Sequence, residues 1–207
     1  MKNWKVYILI IVVWIISELL FYYYLHFFVA PFVWLAIILF LITLSIRNII
    51  KVYRNKSNSQ IFKIRIYKAI IALSLLGLTF YKANYIPNVI IEKVDWNVFF
   101  YKRNQIVEKV KNGELKPNVS WNNWVCQLPF EFPIISNSGN DIGIRKNENN
   151  GKYTIHFWVF RNFLDNPSTY FVYTEDEDDI KAFEEEIKKN PKENWKLEEN
   201  WYRIYGD

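Results

Sequence analysis

The chain has 207 residues, 51% hydrophobic and 19% aromatic, with a formal net charge of +5 and a mean hydropathy of −0.07. Those averages join two unlike halves: residues 1–91 hold 10 Lys/Arg against the single acid Glu18, whereas residues 92–207 hold 16 against 20. The basic excess therefore sits between apolar runs, which speaks of membrane orientation and against a nucleic-acid partner. With Cys126 the only cysteine, no intramolecular disulfide and no cysteine-based zinc site can form, and His26 and His156 are too few for histidine metal chemistry, so neither a metal nor a cofactor is expected.

From Val6 to Ile46 the only formal charge is Glu18. A spanning helix needs about 20 apolar residues, so this stretch predicts two helices, about 6–25 and 29–46, with Pro31 opening the second. A cleaved signal peptide is a poor rival, because the apolar region is too long, lacks a small-x-small cleavage site and is followed at once by a second run. The third apolar run, Ala69–Tyr81, is short. It spans over about 66–86 if Tyr67, Lys68 and Lys82 belong to its ends, where lysine heads reach the interface on apolar stems, and Pro87 then stops it. "AIIALSLLGLTF" is apolar all round and lacks the polar face of a surface-lying helix.

Loop charge gives the orientation. Lys2 and Lys5 precede the first helix, the turn between the first two has no Lys or Arg, and the loop 47–65 is basic without an acid. The positive-inside rule places the N-terminus and this loop in the cytoplasm, and three crossings put residues 92–207 outside. Tyr22, Tyr23, Tyr24, Phe27 and Phe28 would form an outer aromatic girdle, and Trp4 and Tyr67 an inner one. Glu18, an ionisable group within the hydrocarbon, needs a partner; Lys82 is the candidate, as a salt bridge between the first and third helices. One isolated carboxylate makes no proton relay.

In residues 92–207, Asp95 is placed to cap a helix through about Lys111, with Gly113 past its end. Strands follow. "NDIGIRKNENNGKYTIHFWVF" reads as a hairpin turning at Asn150-Gly151. In its second strand Tyr153, Ile155, Phe157 and Val159 face one way and Thr154, His156, Trp158 and Phe160 the other, so both faces are apolar and the strand is central. Residues 168–174 form a further strand, Thr174 and Glu177 make a capping box for a helix through about Lys189, and "NWKLEENWYRIYGD" supplies one or two terminal strands. The fold class expected is three N-terminal transmembrane helices followed by an extracytoplasmic α+β domain with a mainly antiparallel sheet and two helices.

Candidate site residues are few. Glu175, Asp176, Glu177, Asp178 and Asp179 lack the alternating ligand spacing of a calcium loop and suit the first turn of a helix, where the dipole favours negative charge; an acidic surface for a basic partner is the functional alternative. Trp121 and Trp124, with Phe130 and Phe132, lie in the proline-broken stretch "SWNNWVCQLPFEF" and are candidates for a binding surface or a bilayer-facing edge, the bland alternative being that they wrap the core. No catalytic constellation is legible: His156 has no sequence-adjacent nucleophile, Ser136 and Ser138 lack a G-x-S-x-G context, and Cys126 has apolar neighbours.

The series "YKRNQIVEKVKNGELKPN", "LPFEFPIISNSGNDIGI" and "HFWVFRNFLDNPSTYFVYT" resembles a group of small bacterial inner-membrane proteins that carry such a domain after N-terminal helices, some of them akin to membrane-anchored toxin-immunity proteins. The resemblance covers about 105 residues and brings no catalytic signature. It implies a non-enzymatic binding role at the periplasmic side of the bacterial inner membrane, with the lipid bilayer and a protein as partners. That protein would be a secreted toxin or, alternatively, the subunits of a larger envelope complex.

Overall fold

The structure is a computed structural model that describes residues 4–23, 29–80, 85–137, 139–160 and 167–206, and it divides into two compact units. The first comprises Met1–Phe21 and Phe28–Ile91, the second Tyr22–Phe27 and Glu92–Asp207. Lys82 and Ser138, and with them the proposed Glu18–Lys82 pair, lie outside the described residues.

The first unit is helical: α1 (Trp4–Tyr23), α2 (Ala30–Arg54) and α3 (Ser59–Phe80), followed by the opening turns of α4 (Tyr85–Lys111). Among the described residues α1 and α2 are long and apolar enough to cross a membrane, and only 17% and 22% of their spans are buried. α3 does not reach that standard, because Lys63, Arg65 and Lys68 fall within it. Polar side chains tie the bundle together internally. Tyr7 donates to Asn48 Oδ1 at 2.7 Å, Trp14 Nε1 donates to Thr79 Oγ1 at 2.9 Å, and buried Lys68 places its ammonium 5.1 Å from the Tyr7 ring centroid.

α4 corrects the expected boundary. Pro87 falls in its first turn, where a missing N–H costs no intrahelical bond, so the helix runs from Tyr85 rather than starting at an Asp95 cap. Asp95 is buried in mid-helix, bridged to Arg103 two turns on and accepting the Tyr23 hydroxyl at 2.9 Å. The helix ends as expected: Gly113 takes φ +75°, its N–H reaching Val110 and that of Glu114 reaching Lys109, the two bonds of a Schellman motif.

The second unit holds one antiparallel sheet of six strands: β1 (Val125–Gln127), β2 (Asp141–Lys146), β3 (Tyr153–Phe160), β4 (Ser168–Thr174), β5 (Trp195–Glu198) and β6 (Trp201–Gly206), in the order β1-β2-β3-β4-β6-β5. β3 is central as its two apolar faces require. Ile155, Phe157, Phe171, Tyr173 and Trp201 share one face with α4, where Trp96 lies 4.9 Å from Phe171 and 5.3 Å from Trp201, centroid to centroid. The other face carries Thr154, His156, Trp158, Tyr170, Val172, Tyr202 and Ile204. There α5 (Glu177–Lys189) packs Ile180, Phe183 and Ile187 on Val172, Tyr202 and Ile204.

Two turns differ from expectation. The β2–β3 connection is longer than a two-residue hairpin: Asn147 and Lys152 still pair, and only Gly151 takes a positive φ, +73°. The cap of α5 is Asp176 rather than Thr174, its carboxylate accepting the N–H groups of Asp178 and Asp179, while Thr174 Oγ1 accepts that of Asp176. An aspartate two positions nearer the helix offers the stronger acceptor at the positive end of the dipole.

Candidate functional site

The acidic run is largely engaged by its own domain. Glu175 accepts from the Tyr173 hydroxyl and from Lys111 at 2.9 Å, which together hold its carboxyl below the usual range. Asp176 accepts from Asn150 and Asn147 at 2.8 and 2.6 Å as well as capping α5; those side-chain bonds bring its carboxyl down to about 2. Asp179 accepts the Thr154 hydroxyl. Only Glu177 and Asp178 are left fully outward, so as a surface for a basic partner the run is narrower than its five residues suggest.

The aromatic segment splits. Trp121, Phe130 and Phe132 are 65%, 60% and 74% exposed, Phe132 keeping an edge-on contact with Phe99 at 5.8 Å. Trp124 instead turns inward over β2, stacked above Gly143: a Cβ built there would lie 1.9 Å from the indole. A glycine inside a strand signals such a close approach. Overpacking of this kind costs about 1–3 kcal/mol, and Gly143→Ala is expected to lower domain stability by that amount and to expel Trp124, read as a loss of near-ultraviolet dichroism with the urea midpoint lowered.

Trp124 helps to wall a groove on the second sheet face. Its neighbours in the wall are Arg145, Asp179 and Phe183, and its floor is Thr154, His156, Tyr170 and Ile204, enclosing about 130 Å³. Register explains the assembly, since Arg145 pairs with Thr154 and Gly143 with His156, so alternate residues of β2 and β3 open on one side. The His156 ring lies edge-on to Trp124 and Tyr170, at 5.8 and 5.5 Å, and its Nδ1 is buried without a hydrogen-bond partner. Burial, with the Arg145 charge adding to it, pushes the imidazole down to about 3. The ring is therefore neutral at physiological pH. The alternation of β3 already placed Thr154 and His156 together. What sequence reasoning missed was Arg145, Tyr170 and Phe183, which only strand pairing and the docking of α5 bring to them.

Ser136 is structural. Its hydroxyl donates to the Asp141 carbonyl and accepts the Trp158 N–H at 2.9 Å, and Asn137 bonds Trp158 and Val159, so the segment serves as a clamp on the end of β3. Cys126 is buried on β1, its thiol pushed up by burial. Among the described residues no group of three His, Cys, Asp or Glu side chains is arranged to hold a metal ion. In the helical unit Glu18 is buried, its Oε2 without a hydrogen-bond partner among the described residues, beside an apolar pocket of about 290 Å³ lined by Trp14, Leu19, Leu78 and Ile91.

No family model, curated protein or solved structure matches the chain.

Proposed function

We propose that this protein is a membrane-anchored binding module of the bacterial inner membrane that displays its α+β domain on the extracytoplasmic side, most concretely as an immunity protein that neutralises a secreted toxin. The carrying observation is the exposure of Trp121, Phe130 and Phe132 on one segment of a domain whose other large aromatics are mostly packed. Rings of this size left open commonly anchor a protein interface. Anchoring is supported by the low burial of α1 and α2, which distinguishes them from core helices of a water-soluble fold, and by outward apolar side chains on α3 such as Ile64, Ile70 and Leu73. The basic segment expected as a loop over 47–65 is mostly helical, the end of α2 and the start of α3 joined by residues 55–58; with α3 as a third crossing, this basic end of the helices falls inside and the domain outside.

The test is a strain lacking the gene, which becomes sensitive to sibling cells and is protected again by the wild-type protein. Replacing Trp121, Phe130 and Phe132 together by serine is expected to abolish protection while leaving the melting temperature within about 2 °C, since surface substitutions cost little stability. Full protection by the triple variant overturns the assignment of this surface.

A second reading, an accessory subunit of an envelope complex, rests on Glu18. A buried carboxylate beside an apolar pocket is the kind of group that a cation on another subunit's helix pairs with inside a bilayer. A stoichiometric membrane partner that is lost in Glu18→Gln would mark this reading.

A further inference from the structure

The groove on the second sheet face presents two opposite charges that do not meet. Arg145 and Asp179 line the same cavity, yet they form no ion pair, and Arg145 has no carboxylate partner among the described residues. Its guanidinium is held 5.1 Å from the Trp124 ring centroid by stacking. Asp179 is fixed by one bond to Oδ2 from Thr154, whose own oxygen is 2.8 Å from that of Thr174, so the carboxylate is oriented with Oδ1 left over. Thr154 adjoins both charges, paired with Arg145 across the strands and bonded to Asp179, while Tyr170, Phe183, Ile204 and a histidine with an unbonded ring nitrogen line the rest of the groove.

We propose that this groove binds a small zwitterion of the α-amino acid class, its carboxylate on Arg145 and its ammonium on Asp179. The guanidinium fork matches a carboxylate in two parallel bonds. An ammonium gains both from Asp179 and from the Tyr170 ring that lines the same groove. A ligand with one sign of charge satisfies one side and faces a like charge on the other, which is how the site discriminates. The volume of about 130 Å³ suits a molecule of a few heavy atoms. The inference is independent of the protein-binding role, because the groove shares none of the exposed rings on which that role rests.

Full-length protein in mild detergent, titrated calorimetrically with L-alanine, is the test, with acetate and ethylamine as the two half-ligands. Saturable binding of L-alanine is expected, at least tenfold tighter than either half. Arg145→Gln and Asp179→Asn should each weaken it at least tenfold with unchanged melting curves; Asn keeps an acceptor for Thr154, and Arg145 is an exposed residue whose replacement leaves the fold alone. Should one variant fail to fold, the other decides. The proposal is overturned if L-alanine and glycine both bind more weakly than about 10 mM, if acetate or ethylamine alone binds as well as L-alanine, or if a folded variant binds unchanged.

Discussion

Replacing Arg103 by methionine is expected to destabilise the C-terminal domain by about 3–5 kcal/mol, the loss that follows when one member of a buried ion pair is removed and the other stays behind. Arg103 and Asp95 are each 1% exposed. The guanidinium also donates through Nε to the Ile135 carbonyl at 3.1 Å and through Nη1 to the Asp95 carbonyl at 3.2 Å, and lies 4.8 Å from the Phe171 ring centroid. It thereby joins α4, the segment before β2 and the centre of the sheet. Methionine keeps some of the packing on Phe171 but leaves the Asp95 carboxylate with the Tyr23 hydroxyl and no cation. For a domain of this size the melting temperature should fall by about 10–20 °C, followed by tryptophan fluorescence in detergent. The double variant Arg103→Met with Asp95→Asn should recover a large part of the loss, since the cost lies in the stranded charge. Equal destabilisation of single and double variants would show that packing, not charge, is what Arg103 supplies.

Acid sensitivity traceable to His156 is the second large effect. An unfolded histidine titrates near 6.5, whereas in the fold burial, with Arg145 adding to it, holds this one down to about 3. Between those values the unfolded chain binds a proton that the folded chain refuses, so stability is complete above pH 6.5 and declines as pH falls toward 3, by about 1.4 kcal/mol per pH unit. Other groups titrate in the same range. Urea denaturation of wild type and His156→Gln at two pH values isolates this residue: the advantage of wild type over the variant should shrink by about 2 kcal/mol between about pH 7 and pH 5. A constant difference would mean that the ring takes up its proton without penalty. Arg145 and Asp179 are the charged residues lining the same groove, and Arg145→Gln gives a further check: it removes the secondary contribution, raises the folded-state value slightly and should end the decline at a slightly higher pH with the onset near 6.5 unchanged.

The parts of this fold legible in the sequence are those set by local periodicity. The apolar runs of α1 and α2, the alternation of β3, the strand 168–174 and the glycine after α4 all follow from residues within one or two turns of one another. Asp95 shows where that reasoning ends. A carboxylate ahead of an amphipathic run has the look of a helix cap, but its partner is a guanidinium eight residues away that is itself fixed by Ile135. Likewise β1 has only three residues and no alternation to announce it; its pairing with β2, Val125 opposite Gly143, defines it. Trp121 and Trp124 are three residues apart and meet opposite fates, one 65% exposed and the other laid on Gly143, a difference written in the glycine rather than in either tryptophan. The groove follows the same logic, because each of its charges comes from a separate element and neither carries a local signature.

The proposed role depends most on the side of the membrane that the domain occupies: under the proposed arrangement of α1 and α2, a crossing by α3 puts the domain outside, and without one the domain stays on the side of the basic turn between α2 and α3. Labelling of single engineered cysteines by a membrane-impermeant maleimide reads this directly, since the native Cys126 is buried. Lys192→Cys, in the exposed turn after α5, is expected to react in cells with an intact inner membrane, and Ser57→Cys, in the exposed turn between α2 and α3, only after that membrane is permeabilised. Reaction of Lys192→Cys only after permeabilisation would place the domain in the cytoplasm and contradict its role as a receptor for a toxin arriving from outside.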